Sequence, residues 1–152
     1  MTDHCKVFIE RWTHPDYRPE PCTPEALDVA EKLLATFLPR SLREFLESFG
    51  PVGTTANLLS EIVDRDLDLN DVSEFDDPEG IVQATMAWRD LGLDSDLIAF
   101  ASDCQGNVFC IQSAPSRVAD SEVWFLDHDC GTVAPLGVTF NEWIGVFADL
   151  PA

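Results

Sequence analysis

Leu97-Ile98-Ala99-Phe100-Ala101, then Asp103-Cys104-Gln105-Gly106-Asn107, then Val108-Phe109-Cys110-Ile111 is the stretch that decides the class of fold. Two short apolar runs around a polar turn read as paired antiparallel strands. Gly106 stands where the turn needs a positive φ, which glycine adopts without a Cβ clash. The pattern continues downstream. Val123-Trp124-Phe125-Leu126 reads as a third strand, Asp129-Cys130-Gly131 as a second turn and Thr132-Val133-Ala134 as a fourth strand. Consecutive strands joined by short turns make an antiparallel meander.

Working outward, the meander is followed by a helix with a strong local start signal. Thr139 and Glu142 form a T-x-x-E capping box ahead of Trp143, Ile144 and Phe147. Upstream, Thr23 can cap a helix that has Pro24 at its first position and Glu25 at the positive end of its dipole. Leu27, Ala30, Leu34 and Phe37 repeat on one face of it, joined by Leu33 and Leu38. Pro39 opens a second helix with Leu42, Phe45, Leu46 and Phe49 on its apolar side. Arg43 and Glu47 are spaced to pair across one turn, and Gly50-Pro51 ends the helix. A third helix is expected from near Pro78 to Leu91, with Ile81, Ala84, Trp88 and Leu91 sharing a face. Asn57-Leu58-Leu59 and Ile62-Val63 fit short strands or a turn of helix, and the alternation Lys6-Val7-Phe8-Ile9-Glu10 predicts an edge strand. The order helices, meander, helix defines an α+β fold, with helices mainly on one face of an antiparallel sheet. Residues 1–22 are expected to be an N-terminal strand and arm, folding with a domain over residues 23–152 as one globular unit.

Composition narrows the function. The 152 residues are 45% hydrophobic and include ten Phe and four Trp, enough for a substantial core. Nine basic residues face 28 acidic ones, a formal net charge of −19. Such a surface repels phosphate backbones and anionic lipid and speeds encounter with a basic partner. Acidity for solubility alone also explains it. The first twelve residues carry no long apolar run, and no run reaches the length of a bilayer span, so a cytoplasmic location is expected. The five cysteines (5, 22, 104, 110 and 130) are odd in number and irregular in spacing, and read as reduced thiols.

Catalytic motifs are missing from the sequence. There is no G-x-G-x-x-G, P-loop, H-E-x-x-H or G-x-S-x-G, and no pair of cysteines two residues apart. Asp64-Arg65-Asp66-Leu67-Asp68-Leu69-Asn70 resembles a calcium loop only superficially. It has Leu69 where that loop needs glycine and Phe75 where it needs glutamate. Asp127-His128-Asp129-Cys130 gathers four potential ligands, but a tetrahedral site needs others from elsewhere, and His4 and His14 have nothing to place them nearby. A turn with a solvated histidine accounts for the same residues. Cys104, Cys110 or Cys130 beside His128 would be a nucleophile only if activated. The expectation is no enzyme, no cofactor and no metal. Trp12 and Tyr17, set among prolines and charges, either pin the arm to the domain or anchor a partner.

Several of these stretches together resemble the SUKH superfamily. Leu38-Pro39-Arg40-Ser41-Leu42-Arg43-Glu44-Phe45-Leu46, ending at Gly50, is similar to its opening helix-proline-helix motif. Residues 97–111 resemble its central hairpin, Val123-Trp124-Phe125 and Asp127-His128 its next strand and exit turn, and Thr139-Phe140-Asn141-Glu142-Trp143-Ile144 its terminal helix. The similarity covers about residues 24–150, and residues 52–80 match poorly. The resemblance implies an α+β fold with a twisted antiparallel sheet and no shared catalytic residues. It also implies a binding role, as in fungal cell-wall assembly regulators and in bacterial immunity proteins that block polymorphic toxins, many of them nucleases or deaminases. Joined to the charge, it suggests a protein partner, a toxin domain with a basic surface, and no direct binding of nucleic acid or membrane. An intracellular scaffold or regulatory module without a toxin is the alternative. Residues 61–79 hold nine acids and one base, Arg65, and are expected to form an exposed loop or a short strand edge. Asp66, Asp68, Asp71, Glu74, Asp76 and Asp77 are the partner-binding candidates within it.

Overall fold

The computed structural model describes residues 3–151. Its elements are α1 (Asp3–Trp12), α2 (Pro24–Leu34), α3 (Arg40–Phe49), α4 (Ala56–Asp64), β1 (Glu74–Phe75), α5 (Pro78–Asp90), β2 (Leu97–Ser102), β3 (Val108–Gln112), β4 (Glu122–Asp127), β5 (Thr132–Thr139) and α6 (Phe140–Ala148). The strands pair antiparallel in sequence order, β1-β2-β3-β4-β5. Ile98 lies opposite Ile111 and Phe109 opposite Phe125. The α+β fold with helices packed against an antiparallel sheet is the one read from the sequence.

Alternation divides the sheet into two faces. On one, Ile98, Phe100, Phe109, Ile111 and Val123 join buried residues from all the helices in the main core. On the other, Leu97, Ala99, Val108, Cys110 and Leu126 form a smaller cluster, with Ala84 and Trp88 of α5 packed on it. Helix α5 thus starts in the main core, through Ile81 and Val82, and ends on the reverse face. On the way it covers an open strand edge. The pairing of β1 with β2 stops at Ala101, and Thr85 Oγ1 takes the place of a partner strand. It accepts from Ala99 N–H at 3.0 Å and donates to Ala99 C=O at 3.4 Å. Satisfying edge groups this way removes a template for non-native pairing.

One local expectation is corrected, and another is settled as helix. Lys6–Glu10 is helical, within α1, and not an edge strand. Cys5, Phe8, Ile9 and Trp12 are its buried residues, at i, i+3, i+4 and i+7, so the longer helical period outweighs five residues of alternation. Trp12 is sunk in the core with its indole N–H on Phe147 C=O at 2.9 Å, whereas Tyr17 is 82% exposed. Arg11 completes the attachment by donating to Ala148 and Leu150 C=O at the end of α6, where a cation is favoured by the helix dipole. Residues 56–64 are a full helix whose Leu58 and Ile62, one turn apart, face inward.

The arm after α1 is held across the end of α3. Cys22 N–H donates to Leu46 C=O at 2.9 Å. Gly50, with φ of +76°, lies under Glu20, and any Cβ there would collide with the Glu20 carbonyl. The expected apolar faces are not wholly covered. Leu27, Ala30 and Leu34 are buried, but Leu33 is 58% exposed, on the side of α2 it shares with the 57% exposed Val29.

Candidate partner-binding surface

One end of the sheet gathers the β2–β3 turn, the β4–β5 turn and the acidic segment before β1. Asp103 organises the first turn. Its Oδ1 accepts from Gln105 and Asn107 N–H at 2.9 and 2.8 Å, and its Oδ2 from the Asn107 side chain at 2.9 Å. Gly106 takes the positive φ expected of it, +86°. His128 then ties the two turns together. Its N–H donates to Asn107 Oδ1 at 3.1 Å and its Nε2 to Gln105 C=O at 2.8 Å. A carbonyl can only accept, so this contact places a proton on Nε2. Asp127 Oδ1 accepts from Asp129 and Cys130 N–H. The Asp127–Cys130 cluster is therefore occupied in shaping turns. Among the described residues no three His, Cys, Asp or Glu side chains stand together as a metal-binding group.

Three of the five thiols are poorly disposed to act as nucleophiles. Cys110 is buried on the reverse sheet face, and burial pushes its thiol up to about 12. Burial, then the charges of Asp77 and Glu47, raise Cys22. Burial, then a hydrogen bond and the charge of Asp71, raise Cys104. A thiolate is the reactive form, and these surroundings oppose it.

The acidic segment is not one exposed loop. Asp66 and Asp68 are exposed, as is Glu74 in the short strand β1. Asp71 is 6% exposed, turned inward with Oδ1 3.5 Å from Cys104 N–H, so it links the segment to the β2–β3 turn rather than facing solvent. Asp77 is the N-cap of α5 and accepts from Gly80 N–H at 2.7 Å. Asp76 is partly buried, and its carboxylate has no hydrogen-bond partner among the described residues. Burial, then the charges of Glu74 and Asp77, raise its pKa to about 6. The sign follows from linkage. A folded-state value above the ordinary 3.8 means that the folded form holds the proton more tightly. The stabilisation is complete below that ordinary value and is lost as pH rises through about 6. Asp76→Asn should therefore raise stability at pH 7.5 by about 1 kcal/mol, a value discounted for solvent screening. Urea unfolding at pH 7.5 and pH 4 measures it, and the gain should disappear at the lower pH.

An ion network outside the predicted site is centred on the buried Glu31 and Arg43. Glu31 of α2 receives Arg117 through two hydrogen bonds at 2.7 and 2.8 Å, Arg43 of α3 at 2.7 Å and the Leu38 N–H at 2.8 Å. Arg43 also reaches Asp28 at 2.7 Å and Glu47 at 3.2 Å. The Arg43–Glu47 pair was legible from its spacing. Glu31 and Arg117 lie 86 residues apart, and nothing local joins them.

Helices packed against a five-stranded antiparallel sheet are consistent with a SUKH-like architecture. The chain belongs to the SMI1 / KNR4 family (SUKH-1), whose model matches residues 21–145. No curated protein matches it. Helix α1 and most of the arm precede the matched region. No helix among the described residues is long and apolar enough to cross a membrane.

Proposed function

We propose that this chain is a cytoplasmic, non-catalytic immunity protein that binds a cognate toxin domain and neutralises it by covering a basic substrate groove. Membership of the SUKH-1 family over residues 21–145 carries the reading. The net charge of −19 supports a basic partner, which electrostatic steering would bring in quickly. The exposed carboxylates Asp66, Asp68, Glu74 and Asp77 are the proposed steering groups. Asp71 and Asp76 serve behind them, one as a link to the β2–β3 turn and the other as a partly buried acid. Carboxylates at the rim mainly set the rate and the selectivity of encounter, and affinity comes from a few desolvated apolar anchors.

Co-expression with the product of the adjacent reading frame tests the proposal. That product alone should arrest growth, this chain should restore it, and the two should copurify. Replacing both Asp66 and Asp68 by Lys should slow association about tenfold at low salt and much less at high salt. A neighbouring product that is harmless by itself, with no basic protein copurifying, would leave the scaffold reading in place of the immunity one.

A further inference from the structure

We propose that the reverse face of the sheet, where α5 leaves β4 and β5 uncovered, is the apolar anchor site for a basic protein surface. This rests on the immunity reading and names the part of the molecule that would supply its affinity.

Helix α5 lays Ala84 and Trp88 over the cluster of Leu97, Ala99 and Cys110, and stops at Asp90. Beyond it Leu93, 8% exposed, still packs on the cluster. Leu91, expected on the buried face of α5, is 78% exposed, and Val133 of β5 is 37% exposed. Two cavities of about 120 and 360 Å³ open on this face and share Gly92 and Val133. Trp88, Leu91 and Leu126 line the first, and Trp124 and Leu97 the second. Trp124 pairs with Pro135, and Leu126 with Val133, so β4 and β5 together present one apolar strip. A half-covered tryptophan in a shallow apolar cavity is the usual form of an interface hot spot.

Charge selects the occupant. Asp94 and Asp96 line the second cavity, Asp90 ends the adjoining helix, and no Lys or Arg lines either cavity. The nearby Arg89 is committed to the backbone, donating to Ser95 and Leu97 C=O at 2.8 and 3.3 Å. A second copy of this chain would bring aspartates against aspartates, since the chain carries 28 acids and nine bases. A partner that presents an apolar side chain flanked by Lys or Arg meets both the apolar floor and the acidic margin.

The test uses the full chain and, as probe, the purified product of the adjacent reading frame. Leu91→Arg and Val133→Arg change exposed positions, and thermal melts should match the parent chain. Each should weaken binding at least tenfold, while Leu91→Met stays within threefold of the parent. Binding should also shift indole emission, because Trp12 and Trp143 are buried and Trp88 and Trp124 are not. That shift should vanish in a Trp88→Phe, Trp124→Phe chain. Unchanged affinity in both arginine variants overturns this site and leaves the immunity reading standing. A parent chain that does not bind the probe overturns the immunity reading and this site with it. A dimer of the chain alone that Val133→Arg dissociates would make the face a self-interface and overturn the proposal.

Discussion

Replacing Glu31 by Ala should destabilise the protein by about 3–5 kcal/mol at neutral pH, the usual cost of removing one partner from a buried ion pair. Glu31 is 7% exposed and receives four hydrogen bonds. Its loss would not be felt equally by its two arginines. Arg43 retains Asp28 and Glu47. Among the described residues Arg117 would retain the Leu38 carbonyl and its stacking on Phe37, 5.3 Å from the ring centre. The segment between β3 and β4 should therefore loosen first. It reaches α3 through Arg40 N–H on Val118 C=O and Ser41 N–H on Ala119 C=O, and both amides should lose exchange protection before the sheet does. Equilibrium urea unfolding with hydrogen exchange measures both effects. A cost below about 1 kcal/mol, within the range of a surface pair, would show that the network adds little.

The effect should depend on pH in a stated direction. Burial pushes Glu31 upward, but hydrogen bonds from Arg117 and the Leu38 N–H and the charges of Arg43 and Arg117 outweigh it, leaving the carboxyl below its ordinary 4.5. A depressed carboxylate stabilises the folded state above the unfolded value, and that contribution fades as pH falls through the folded one. The difference between parent and Glu31→Ala should be full at pH 7 and shrink below pH 4.5.

Trp143→Ala should cost about 3–5 kcal/mol, the range for truncating a large buried aromatic. Trp143 is at the centre of the ring cluster, with Phe75, Phe100, Phe109, Phe140 and Phe147 centroids 4.8 to 6.1 Å away. These rings come from β1, β2, β3 and α6, so the cavity would open where sheet and helix meet. Trp143→Phe separates packing from polarity. The indole Nε1 is buried with no hydrogen-bond partner, a burden of about 1–3 kcal/mol that phenylalanine lacks. The two effects oppose each other, and the phenylalanine variant should stay within about 1.5 kcal/mol of the parent. Calorimetry of the three chains measures the order, and equal losses for Ala and Phe would show that the indole N–H is satisfied in the folded chain and stabilises it.

Where a feature depends on residues within one turn of each other, the sequence was a sufficient guide. The Thr139–Glu142 box forms both of its hydrogen bonds, at 3.5 and 2.9 Å. Thr23 caps α2 through the Ala26 N–H, and Gly106 takes the left-handed turn. The alternation at Lys6–Glu10 does not make a strand, because five residues of alternation are a weak signal beside ten residues of helical spacing. The six acidic candidates were read as one set because sequence displays charge but not depth. Asp71 is inside the fold and Asp66 outside it, five residues apart.

The amino-acid sequence alone determined the order of β2 to β5, the starts of α2, α3, α5 and α6, the α+β class and the acidic character, since short-range sterics, capping and composition decide these. Tertiary structure decided which apolar side chains found cover and which carboxylates left water. Leu33 and Leu91 carry the same periodicity as their buried neighbours, and Glu31 resembles any helical glutamate until Arg117 arrives from the connection between β3 and β4. Burial is a property of what lies across from a residue, and chain neighbours cannot supply that.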